Sequence, residues 1–365
     1  MNLHSTNLTR IRKDERGNTL ILGAVVIVAL IGVGAFAIDI GSALVTKAEL
    51  QNTADASVLA GTRKLADIYA SLGNTTSYKD YTLTGSDKSA IAARMATYST
   101  ANKAGGVAIS ILTDDTVYGK YDNGAQTVVS ASTGVKAVKV KTRRDDSANG
   151  TQATTLAKVL GIQTLSITAT SAAQLSAVGG LPGGGEGIPV GISQVWFDNH
   201  SCQTASDIKF NDTHSSCAAW HVFRDGDGYT PPSASRLRSL LDDMRTGAFT
   251  SPGSTAGETR YEFTGGTVAS AFDNMVALYD AKKDASGNWD VLLPVYQESS
   301  SPCKNQNTNA LIIGYAKATI YGVTGAPDKT INANVRCGVL GPQDGVKGGG
   351  TNDYGALYSS PGMVQ

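Results

Sequence analysis

The sequence predicts an α+β chain: a single N-terminal transmembrane helix that continues into a long outer helix, followed by a β-rich extracytoplasmic region. Three observations predict it. Residues 17–38 carry no charged side chain, and at about 1.5 Å per residue such a helix spans roughly 30 Å, a bilayer's hydrocarbon core. Stretches beyond residue 100, such as Val135-Lys-Ala-Val-Lys-Val-Lys141, alternate apolar and polar residues with the period of a strand. All four cysteines fall in the second half of the 365 residues, on the side of the membrane where disulfides persist.

Residues 1–16 are polar and form the expected cytoplasmic tail. Arg10, Arg12, Lys13 and Arg16 precede the apolar run, and only Lys47 follows it closely. That asymmetry keeps the N-terminus inside and places everything after Asp39 outside. The expected topology is a single pass through the inner (cytoplasmic) membrane, spanning 17–40, with a periplasmic or extracellular C-terminal portion and the lipid bilayer as first partner. Ala35-Phe-Ala37 has the form of a signal-peptide cleavage site, but the apolar run exceeds the usual 7–15 residues and the helical pattern continues past it.

Beyond the span, Leu50, Ala54, Val58 and Leu65 recur at helical spacing without a proline, so the helix should continue to about Asp67. Its face is built of small side chains. Two uses are open: packing on the protein's own outer domain, or close approach by another helix, self-association included. Residues 68–103 read as further helix broken at Gly73 and Gly85, clearest over Ser89–Tyr98. Strands are expected at 107–112, 127–130, 135–141 and 165–173, with a short helix at 154–160. This helical stalk and α+β domain occupy 41–178.

Residues 179–191 are dense in glycine and proline and form an expected linker. A C-terminal α+β domain over 192–341 follows, with helices near 233–246 and 268–282 and a strand pair at 311–321 and 330–337. Residues 342–365 are glycine-rich, an expected flexible tail. Cys202, Cys217, Cys303 and Cys337 are disulfide candidates with three pairings open; short-loop closure favours Cys202 with Cys217 and Cys303 with Cys337.

Composition narrows function. Thirty-one basic and 31 acidic residues cancel, and no dense basic patch appears, which argues against nucleic acid as a partner. Charged residues make up only 17%, with much Gly, Ala, Ser and Thr, which suits an envelope or assembly component better than a cytosolic enzyme.

The basic flank, Arg16-Gly17, the apolar span, Asp39-x-Gly41 and Leu50-Gln-Asn-Thr-Ala-Asp-Ala-Ser-Val-Leu-Ala-Gly61 together resemble the TadE/TadG-like proteins of tight-adherence (Flp) pilus assembly, above all the TadG-like branch. More loosely, the resemblance extends to residue 178 through a Gly-x-Tyr-Asp turn ending at Asp122, a strand ending in Arg143 and Arg144, a helix ending in Leu160-Gly161, and an alanine-rich strand. It implies a membrane-anchored component of the pilus machinery, acting by contacts with other pilus or secretion-apparatus proteins, not an enzyme. The implied assembly-helix residues are Asp39, Gly41, Leu50, Gln51, Asn52, Ala54, Asp55, Ala60 and Gly61. For Asp39 an interfacial stop and an assembly contact with a partner's cation are both open. Leu22, not glutamate, stands five residues after Gly17, which sets the chain apart from pilin-like members cut by a prepilin peptidase. No Asp-x-Ser-x-Ser metal-adhesion motif is present.

Two other classes compete: an envelope-anchored binding or adhesion protein outside any pilus, and an extracytoplasmic metalloenzyme. His200, Cys202, His214, Cys217 and His221 lie within 22 residues, and thiolates with imidazoles suit zinc, but finger spacing is absent and oxidised cysteines explain the pattern better. Arg224-Asp-Gly-Asp-Gly-Tyr229 starts like a calcium loop, but Pro231-Pro232 follow and the closing acid is missing. Gly253-Ser-Thr-Ala-Gly257 has a threonine at the nucleophile position of an elbow and no strand before it. Asp242-Asp243 suits a solvated helix surface. No catalytic, metal or cofactor site is assigned.

Overall fold

The computed structural model describes residues 16–73, 76–184, 187–200, 202, 206–210, 217–223, 233–264, 269–298 and 308–364. Residues 1–15 of the expected tail, His214, the 224–229 loop and Cys303 lie outside them.

Helix α1, Arg16–Ser71, is continuous over 56 residues, about 84 Å at the standard rise. From Leu20 to Val33 its large apolar side chains all face outward. From Ala35 onward the buried positions fall on one stripe: Ala35, Asp39, Thr46, Leu50, Ala54, Val58, Leu65 and Tyr69. Spacings of four and seven put them on one face of the helix. Three buried hydroxyls beside that stripe serve the helix itself: Thr53, Ser57 and Thr62 donate to the carbonyls of Glu49, Thr53 and Val58 at 2.8, 2.6 and 2.8 Å. They can therefore be buried without an external partner.

Helix α2, Gly85–Ala101, begins with a capping box in which the Thr84 hydroxyl accepts from the Asp87 N–H and the Asp87 carboxylate accepts from the Thr84 N–H. Gly85 thus opens this helix instead of breaking one. Ile91, Met95 and Ser99 are its buried residues, and the helix packs against α1.

A five-stranded antiparallel sheet lies under α1, in the order Gly362–Val364, Ile167–Gln174, Ala137–Arg144, Thr116–Asp122, Thr127–Ser130. α1 rests on two of its three inner strands, Ile167–Gln174 and Ala137–Arg144. The Gly-x-Tyr-Asp residues expected in a turn belong to the strand Thr116–Asp122. The turn comes next, where the Asp122 carboxylate accepts the N–H groups of Gly124 and Ala125 at 2.8 and 3.1 Å. The strand expected at 107–112 contracts to Val107–Ala108, and the helix at 154–160 to one 3-10 turn, Ala157–Leu160.

A second, seven-stranded sheet runs Ser206–Phe210, Thr330–Arg336, Thr308–Thr324, Trp289–Tyr296, Val190–Ser193, Ala218–Trp220, with Arg260–Phe263 also pairing Thr308–Thr324. The expected pair at 311–321 and 330–337 forms its centre. Helices Ala234–Thr246 and Phe272–Lys282 contribute Leu237, Leu241, Phe272 and Met275 to the same hydrophobic cluster as Ile312, Ala316 and Ile320 of this sheet.

Three expectations are corrected. The stretch 179–191 is not a free linker. Gly180–Leu181 pairs with Ser254–Thr255, Leu181, Ile188 and Val190 are buried, and one cluster continues from Ala54 and Val58 of α1 to the second sheet. Residues 342–364 are not a flexible tail. Ala356–Tyr358 pairs in parallel with Gly338–Leu340, Ala356 and Leu357 are wholly buried, and Gly362–Val364 returns to extend the first sheet. Glycine content there reflects close backbone approach: a Cβ on Gly350 would lie 2.5 Å from the Val178 carbonyl oxygen. The favoured cysteine pairing is also wrong, because Cys202 is bonded to Cys337, with 5.0 Å between their Cα atoms. The strand after Cys202 pairs antiparallel with the strand before Cys337, Ser206 opposite Val335, and that pairing brings the ends that carry the two cysteines to the same edge. Cys217 is also in a disulfide.

Candidate functional site

The end of the outer region nearest the exposed apolar half of α1 is made of loops, and α1 holds them through polar side chains. The 3-10 turn Ala157–Leu160 closes on Gly161, whose left-handed conformation (φ 89°) lets its N–H reach the Ala157 and Lys158 carbonyls. Thr154 donates its hydroxyl to the Ile162 carbonyl at 2.6 Å, closing the loop on itself. This leaves the amides at the start of the turn without partners inside it. Asp39 supplies them: its carboxylate accepts from the N–H groups of Thr155, Leu156 and Ala157 at 2.6, 3.0 and 2.5 Å. The carboxylate is buried on α1 with no cationic partner among the described residues, and three converging amide dipoles stabilise the charge.

The next turns of α1 repeat the device. Gln152 reaches Ser42 at 3.4 Å and accepts from Thr46 at 3.5 Å, and Glu49 accepts the Gly105 N–H at 2.7 Å. Behind these loops Arg144 is buried and donates to the carbonyls of Ala104, Gly150 and Thr151 at 2.7, 2.8 and 3.1 Å. One guanidinium with five donors in a fixed fork can hold two loops in one register, which lysine cannot. Its neighbour Arg143 pairs with Asp115 and Asp145. Periodicity gave no sign of these roles; the only trace in the sequence was the strand ending in two arginines.

The implied assembly residues divide by their surroundings. Leu50 is fully buried with Ile109 and Ile167, and its carbonyl accepts the Thr142 hydroxyl at 3.0 Å. Ala54 is fully buried in the main cluster. Gly61 is buried under α2, where an added Cβ would lie 2.6 Å from Met95 Cγ. Gln51 bridges to the Asp55 carboxylate at 2.8 Å and to the Thr170 carbonyl at 3.2 Å. Ala60 is half-buried, whereas Gly41 and Asn52 face outward, and nothing lies within 4 Å of where a Gly41 Cβ would be. The small-residue face from 50 to 66 thus packs on the protein's own sheet and α2, and Asp39 is taken up by its own backbone.

Residues 17–66 match the family model Tad, described as "Putative Flp pilus-assembly TadE/G-like". This stretch of the helix is similar to TadE/G-like proteins. The TadE/G-like match covers the apolar run and the seat of α1 on the first sheet, and stops where the helix nears its end. No curated protein and no solved structure is significantly similar to the chain. The segment's first half, within Thr19–Ser71, is long and apolar enough to cross a membrane, with only 6% of its most apolar window buried.

The described members of the zinc set are engaged elsewhere. Cys202 is in its disulfide, His200 stacks on Trp196 with ring centres 4.6 Å apart, and His221 is fully buried against Tyr261. Among the described residues no three His, Cys, Asp or Glu side chains converge on a metal position. Ser254 of the elbow-like stretch lies in a strand and hydrogen-bonds the Tyr315 hydroxyl at 2.7 Å. Asp242 pairs with Arg245 on the surface of its helix and accepts from Asn274.

Proposed function

We propose that this protein is a membrane-anchored component of the Tad/Flp pilus assembly machinery that works by protein–protein contact. The observation that carries the reading is the TadE/G-like match over 17–66, coinciding with a helix whose apolar half is exposed and whose second half is fixed to a folded outer region. The basic residues ahead of the span support an N-terminus in the cytoplasm. The Cys202–Cys337 disulfide supports an outer region on the oxidising side of the inner membrane.

Because the motif's buried residues are occupied within the chain, partner contacts fall to the outward face of α1. Gly41 and Asn52 lie there with Leu44 and Val45. Close approach of a second helix is what a small residue such as Gly41 permits in lipid, whether the partner is another pilus or secretion protein or a second copy.

The test is affinity isolation of the full-length, C-terminally tagged chain from detergent-solubilised membranes, together with deletion of its gene. Co-isolation of pilus or secretion-apparatus proteins, with loss of surface attachment on deletion, is expected. Intact pili and attachment in the deletion strain would overturn the reading in favour of an envelope protein outside any pilus.

A further inference from the structure

Asp39 would ordinarily mark the water boundary of the span, since an ionised carboxylate avoids hydrocarbon. Here its charge is sheltered by three amides, and the apolar surface of α1 continues beyond it. Ile38, Ile40, Leu44 and Val45 are 54–61% exposed, and the first exposed charge after them is Lys47. Residues 19–45 rise about 40 Å, the thickness of a bilayer including its headgroup layers.

Ala35, one turn nearer the membrane than Asp39, is only 8% exposed, although Val33 and Phe36 beside it are open. Part of the outer region therefore reaches below Asp39 along the helix, and the element packed on this end of α1 is the 3-10 turn. That turn carries Val159 at 80% exposure, the highest among the large apolar residues described, and Ile162 just after it is 43% exposed. Lys158, also exposed, stands beside them.

Resting on the membrane-anchor reading, we propose that the 156–162 loop is a second membrane contact, with Val159 and Ile162 inserted at the headgroup–acyl boundary and Lys158 among lipid phosphates. The occupant is lipid because Asp39 holds the turn that carries this patch against α1, at the depth that the exposed apolar face of the helix assigns to the headgroups. An apolar tip with a cation beside it suits that layer. Asp39, by capping the turn, is then the positioning residue that sets the loop's depth. Two contacts fix the tilt of the outer region over the bilayer, which a single helix alone leaves free.

The test is tryptophan fluorescence of the full-length protein in nanodiscs of phosphatidylcholine and phosphatidylglycerol brominated near the headgroup end of the acyl chains. The native Trp196, Trp220 and Trp289 are buried in the second half of the chain and provide a constant background. Val159→Trp and Ile162→Trp are compared with Leu30→Trp, inside the span, and Val129→Trp, exposed on the far edge of the first sheet. Quenching of either loop variant well above Val129→Trp is expected. If Leu30→Trp is quenched and both loop variants match Val129→Trp, the loop contact is overturned and the anchor stands. If Leu30→Trp is unquenched, the anchor fails and the loop contact with it.

Discussion

The Asp39 carboxylate accepts the Ala157 N–H at 2.5 Å, across 118 positions of sequence. A residue at the edge of the apolar helix thereby caps a turn of the outer region, and the seat of that turn on α1 depends on the cap.

Replacing it should loosen the turn while leaving the sheet intact. In Asp39→Ala the amides of Thr155, Leu156 and Ala157 lose their acceptor, and their hydrogen exchange should quicken while that of Ala137–Arg144 is unchanged. Asp39→Asn keeps one acceptor oxygen and should fall between. Peptide-resolved exchange of the detergent-solubilised protein reads this, and equal protection of 155–157 in all three proteins would contradict the cap.

Gly61 and Gly41 should respond in opposite ways. A valine at Gly61 meets Met95 and Ile91, and overpacking of this kind costs about 1–3 kcal/mol. Gly61→Ala regains about 1 kcal/mol of helix propensity and should be milder. Gly41→Leu has open space around it and should leave thermal unfolding unchanged while weakening co-isolation of partners. Thermal melts alongside affinity isolation separate the two effects.

Non-reducing peptide mapping should recover Cys202 joined to Cys337. A cross-link closing 135 residues restricts the unfolded chain by up to about 5 kcal/mol in the loop-entropy view. Cys202→Ser should therefore lower the melting temperature strongly, and reductant should do little further to that bond. A Cys202–Cys217 peptide would contradict the register described here.

Acid should weaken the fold in two stages. Burial holds the His221 imidazole down at about 3 against an ordinary 6.5. The unfolded chain therefore gains a proton that the fold refuses, and stability falls as pH drops from about 6.5 towards 3. Burial pushes the Asp353 carboxyl up, but the Lys136 and Lys79 ammonium groups and the Tyr78 hydroxyl more than offset this and hold it below the ordinary 3.8. Its contribution is present above the unfolded value and is lost as pH falls through the lower folded one. Melting temperature against pH should lose its upper slope in His221→Phe, while Asp353→Asn should remove only the lowest part.

Much of the fold was legible because it is local. The apolar run at 17–38, the spacing of Leu50, Ala54, Val58 and Leu65, and the alternation over 135–141 each reflect one element meeting one environment. The observed helices at 16–71 and 234–246 and the strand at 127–130 follow from such patterns. The Gly-Pro stretch at 179–191 and the glycines after 341 misled for one reason. Glycine marks both freedom and close approach, and only the neighbouring chain decides which.

The sequence by itself determined that one greasy helix leads the chain, that its continuation buries a single face, and that this segment is similar to TadE/G-like proteins. Only the tertiary structure decided which cysteines meet, that the last strand returns to the first sheet, and that Asp39 answers to its own backbone. Those outcomes depend on strand register and on partners 110 or more residues away, as between Asp39 and Ala157. No local periodicity encodes such distances, because they are fixed only when separate elements share one core.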